Sequence, residues 1–98
     1  MAKFIVTDIE RDSVARWLRQ HRHLKHVRIR KRADTLVLES GPLSDPFPHA
    51  RLRRVAVHLW TLEMPHRARW QPTGFRDRKE PLLELLVHQF GWMLAPVD

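Results

Sequence analysis

HVRIRKRADTLVLE, residues 26–39, carries two short patterns back to back. His26-Val27-Arg28-Ile29-Arg30 alternates polar with apolar, the period of a strand that has one wet face. Thr35-Leu36-Val37-Leu38-Glu39 is a second strand, closed by Ser40-Gly41-Pro42. Between them, Lys31 to Asp34 leaves room only for a tight connection, so the stretch predicts an antiparallel hairpin.

Toward the C-terminus, GPLSDPFPH (residues 41–49) has three prolines in nine residues, which predicts a loop because proline donates nothing to a ladder. The longest strand candidate runs from Arg51 to Met64. Its alternation sends Val55, Val57 and Leu59 to one face and Arg54, Ala56, His58, Trp60 and Leu62 to the other. Pro65 is expected to end it, with a turn at Met64-Pro65-His66, and Arg67-Ala68-Arg69-Trp70 returns antiparallel. Residues 71–75, with Pro72 and Gly74, read as a loop. Asp77 with Glu80 has the form of a capping box, and Pro81 suits a first helical turn. The helix that follows is apolar almost all round, through Leu82, Leu83, Leu85, Leu86, Val87 and Phe90, and Gly91 is its stop.

Toward the N-terminus, Phe4-Ile5-Val6 is a short apolar run that suits an edge strand. Thr7 with Glu10 spells a capping box, and Val14, Trp17, Leu18 and His21 recur at helical spacing, which predicts a helix over about residues 9–22. The order is therefore (β)-α-β-β-β-β-α. It predicts one α+β domain over 1–98, a two-layer sandwich with two helices on one face of a four- to five-stranded, mainly antiparallel sheet. The other sheet face is expected to meet solvent.

Charge gives that face its interest. The formal net charge is +7, and all of it lies in two blocks read as strand. Residues 19–32 hold seven bases, three histidines and no acid, and residues 51–76 hold six arginines against Glu63 alone. Fourteen arginines to four lysines is a bias that codon usage alone can write, so the clustering carries more weight than the count. A sheet that gathers positive charge while its helices stay neutral points to a polyanionic partner, nucleic acid above all. Strand alternation puts His26, Arg28, Arg30, Arg54, His58, Trp60, Arg67 and Arg69 on the open face, beside Thr35, Val37 and Glu39. Arginines would contact phosphate, and an exposed Trp60 would stack on an unpaired base, which favours RNA or single-stranded nucleic acid.

Other chemistry finds little support. With no cysteine there is no disulfide, thiolate nucleophile or cysteine zinc site. Gly41, Gly74 and Gly91 are too far apart for a phosphate loop, and no cofactor is expected. His21-x-His23-x-x-His26 has no accompanying carboxylate, so no metal site is expected. His58, with Glu63 as partner and arginines to hold a pentavalent phosphate, is the weak catalytic candidate, and it would suit a metal-independent ribonuclease. Trp92-Met93-Leu94 either closes the core or contacts another chain, leaving a homodimer or a subunit of a nucleoprotein assembly as a further reading. The N-terminal apolar run is too short for a signal peptide or a membrane span, and the protein is expected to be cytoplasmic, with no membrane partner.

Overall fold

A computed structural model describes residues 4–94 of the chain, apart from the Met93 side chain. Helix α1 (Asp8–Arg19) comes first, then a short 3₁₀ turn at Arg22–Leu24. Five strands follow: β1 (Arg28–Arg32), β2 (Thr35–Ser40), β3 (Phe47–Ala56), β4 (Leu59–His66) and β5 (Arg69–Asp77). Helix α2 (Lys79–Gln89) and a 3₁₀ turn at Gly91–Leu94 complete the described chain. The strands form one antiparallel meander in chain order, and both helices lie on the same face, so the α+β sandwich read from the sequence is the fold.

Thr7 opens α1 with its backbone N–H donating to Glu10 Oε1 at 3.2 Å while its hydroxyl binds the other carboxylate oxygen, so the first capping box forms. The second does not: Asp77 ends β5, and its carboxylate accepts from the Arg78 backbone N–H at 2.7 Å. Val14 and Leu18 from α1 and Leu82, Leu83 and Leu86 from α2 belong to one core cluster with Leu36, Leu38, Leu52, Leu62 and Trp60 of the sheet. Leu94 closes the same cluster, whereas Trp92 stands 73% exposed.

Five predicted boundaries are corrected. Residues 4–6 are not a strand; Val6 makes a single bond, its N–H to the Ala33 carbonyl at 2.9 Å. The supposed long strand is a hairpin that turns at Val57-His58. At fourteen residues it exceeded the usual strand length of about 3–10, the sign of a concealed turn. Pro65 does not end β4, which runs on to His66. Its missing N–H is tolerated because the register with β3 stops at Arg51–Glu63, so Pro65 has only β5 beside it. Finally, Phe47 and Pro48 already belong to β3 and residues 71–75 to β5, where bulges absorb the prolines and a Gly74 at φ +89.

Candidate nucleic-acid interface

Register decides which side chains share the outer face. One row crosses all five strands as Arg32, Thr35, Arg53, Thr61 and Arg76. The next runs Arg30, Val37, Arg51, Glu63 and Pro72, and a third runs Arg28, Glu39 and Pro48. Leu36, Leu38, Leu52 and Leu62 alternate with these residues and face the helices. Six arginines therefore stand on one surface, on alternate strands roughly 10 Å apart.

The two described helices lie on the other side, yet Thr35, Val37 and Glu39 in the centre of this face are only 3–4% exposed. Arginine stems from the flanking strands β1 and β3 supply the cover, as long charged side chains do when their aliphatic part lies on apolar surface. The carboxylates are clamped beneath. Glu39 binds Arg30 Nε at 2.8 Å and Arg28 Nη2 at 3.4 Å. Glu63 binds Arg51 Nε and, at 3.4 Å, Arg53 Nε, while Arg53 Nη1 reaches Asp34 at 2.8 Å. Six arginines meet three carboxylates, so the face keeps three positive charges, and among the described residues Arg32 and Arg76 have no ion-pair partner.

A cavity of about 350 Å³ lies on this surface, floored by Thr35 and Val37 and walled by Arg30, Arg32, Arg51, Arg53, Asp34 and Trp70. Trp70 follows from register too: it pairs with Pro65, two residues beyond Glu63, which returns it to the outer side. The Arg51 guanidinium sits 4.7 Å from its ring centroid, so cation and aromatic are already stacked at the cavity wall.

Of the residues predicted for this surface, Arg28 and Arg30 are on it. Trp60 is not: it is 2% exposed in the core. Arg54 lies on the helix side, where it bonds Glu10 at 2.7 Å and the Val57 carbonyl at 2.8 Å, with its guanidinium 5.7 Å from the Trp60 ring. His26 precedes β1, and its Nε2 is within hydrogen-bond reach of the Leu94 carbonyl, so it ties down the chain's C-terminal turn. His58 is exposed in the β3–β4 turn, and Arg67 sits at φ +50 in the β4–β5 turn. Arg69 is exposed on β5 next to Trp70, so alternation turns it to the other side. Trp60 and Arg54 fall on the inner side because Leu52, Arg54, Trp60 and Leu62 share one phase across the turn at Val57-His58, whereas the expectation took its phase from Val55, Val57 and Leu59 beside the turn. Leu52 and Leu62 held the correct phase. Taken as interior, they place Arg51 and Arg53 outward, which the reading on valines missed, along with Arg32, Arg76 and Trp70.

The weak catalytic pair does not assemble. His58 lies against a cleft with Ser13, Glu10, Arg54 and Lys79 on the helix side, whereas Glu63 is held under arginines on the outer face. Elsewhere, Ser40 and His49 form a buried hydrogen bond of 2.7 Å. A bulge opposite Leu38–Glu39 makes His49 the additional residue of β3, which turns it inward. Among the described residues no group of three histidines, cysteines or carboxylates could hold a metal, and no helix is long and apolar enough to cross a membrane. No protein-family model, curated protein or solved structure matches the chain.

Proposed function

We propose that the protein binds nucleic acid, RNA or another single strand, on the outer face of its sheet and without cleaving it. The observation that carries this reading is the row-wise gathering of Arg28, Arg30, Arg32, Arg51, Arg53 and Arg76 on one surface, where Arg30, Arg32, Arg51 and Arg53 wall a cavity that ends at Trp70. Phosphates find guanidinium groups at regular spacing, and a base finds an aromatic wall already paired with a cation. The preference for single strands follows from shape: the open sheet face offers Trp70 for stacking, and the helices that could enter a duplex groove lie on the opposite side.

Binding of labelled single-stranded and duplex RNA and DNA, with wild type and the double variant Arg32→Glu/Arg76→Glu, tests the proposal. Both positions are exposed and make no ion pair among the described residues, so the fold is expected to survive the exchange. Single strands should bind more tightly than duplexes, and the variant should lose them. Equal affinity in wild type and variant would remove the outer face from consideration.

A further inference from the structure

The sheet has two edge strands, β1 and β5, and between β1 and α1 runs a groove of about 550 Å³. Ala15, Leu18 and Ile29 line it with apolar surface, and Arg19, Lys25 and Arg28 stand along it. Among the described residues Arg19 and Lys25 have no ion-pair partner, and the buried Arg28 Nε has no hydrogen-bond partner. Alternate N–H and C=O groups of an edge strand point away from the sheet and remain available to another backbone. The sequence of β1, RIRKR, repels a second copy of itself, so a self-paired dimer through this edge is disfavoured. The same charges attract a strand of opposite sign.

We propose that this edge accepts an extended acidic segment of a partner protein, added as a sixth strand beside β1. Such a strand alternates as β1 does. On one side its residues face the groove under α1, where Ala15, Leu18 and Ile29 give an apolar lining beside Arg19 and Lys25; on the other they stand beside Arg28, Arg30 and Arg32. The fitting sequence therefore alternates carboxylate with aliphatic side chains. Main-chain bonds supply the attachment, and the two faces supply the selection. Arg19, Lys25 and Ala15 lie outside the cavity at Trp70, whereas Arg28, Arg30 and Arg32 are shared, so an acidic strand and a nucleic acid would compete for that end of the outer face.

The test is binding of a labelled synthetic peptide of alternating glutamate and valine to the full chain, against a peptide of the same composition with its glutamates and valines in separate blocks. The alternating peptide should bind about tenfold more tightly. Arg19→Glu/Lys25→Glu, two exposed positions, should weaken it about tenfold and leave RNA affinity unchanged. Ala15→Phe fills the groove and should abolish binding; should it fail to fold, the charge variant alone decides. Hydrogen exchange at the backbone amides of Arg28–Arg32 should slow when the peptide binds. Equal affinity for both peptides, unchanged exchange in β1, or loss of RNA binding in the Arg19/Lys25 variant would each overturn the proposal, the last by assigning the groove to nucleic acid.

Discussion

Glu63→Gln should weaken the fold and strengthen the binding, two effects of opposite sign from one carboxylate. Glu63 is 8% exposed and holds both Arg51 and Arg53, whose side chains are 17% and 34% exposed. Removing one partner of a fully buried ion pair costs about 3–5 kcal/mol, since the remaining charge loses its counter-charge without regaining water. Here Arg53 keeps Asp34 and reaches solvent, and the glutamine oxygen still accepts one bond, so about 2 kcal/mol is expected. For a chain of this size that corresponds to a fall in Tm of roughly 8–16 °C. The same change raises the net charge of the face by one. A further phosphate contact on a single strand steepens the salt dependence by about 0.7, or roughly fivefold in affinity near about 0.1 M salt. Thermal melting and fluorescence anisotropy read the two quantities on one preparation. An unchanged Tm would show the clamp to be surface decoration, and a lower affinity would show that the arginines act only when Glu63 orders them.

Other outcomes follow from the same coordinates. Trp60→Ala should cost about 3–5 kcal/mol of stability as a core truncation, whereas Trp70→Ala should leave Tm nearly unchanged and cost about 1–3 kcal/mol of single-strand affinity; the reverse pattern would exchange their roles. The hydrogen bond from Lys31, with the charge of Arg11, holds the Asp8 carboxyl below its ordinary range. Burial pushes Glu10 up, but hydrogen bonds from Thr7 and the Arg54 charge outweigh it and hold that carboxyl below its ordinary range as well. Groups depressed in the folded state stabilise it above their unfolded pKa and lose that contribution as pH falls through the folded value, so acid should lower Tm, and Glu10→Gln should flatten that limb. A Glu10→Gln profile parallel to wild type would contradict this. Arg67 and Ala68 both sit at positive φ, +50 and +63, in the two-residue β4–β5 turn, so Arg67→Asn/Ala68→Gly should stabilise the hairpin by about 1 kcal/mol or more, read by denaturant midpoint, and a lower midpoint would contradict the strain.

Much of the architecture was legible from residues 26–39, because alternation beside an aliphatic strand admits few structures other than a hairpin. The first capping box and the apolar second helix were equally direct. The outer face was half legible. Arg28 and Arg30 follow from a strand whose phase Ile29 fixes, and Thr35, Val37 and Glu39 follow from their partner. Beyond Arg51 the phase depended on which residues were taken as interior, Leu52 and Leu62 or the valines beside the turn at Val57-His58. Neither Val57 nor His58 is a usual turn former, and no glycine, proline or asparagine marked the place. Trp60 illustrates the consequence: the residue valued for stacking is the largest side chain of the core, and its proposed function passes to Trp70. Bulges at His49 and around Gly74 were beyond reach for a related reason. They arise from pairing across strands, which no local pattern records.

The claim that three uncompensated charges on the outer face hold a single strand is tested most directly by affinity for labelled single-stranded RNA against salt. With about 0.7 per phosphate contact, the logarithmic slope should be near −2, or about a twentyfold loss from about 50 to about 200 mM monovalent salt. In Arg32→Gln/Arg76→Gln the slope should fall to about −0.7. A salt-independent affinity, or a double variant that keeps the wild-type slope, would contradict it.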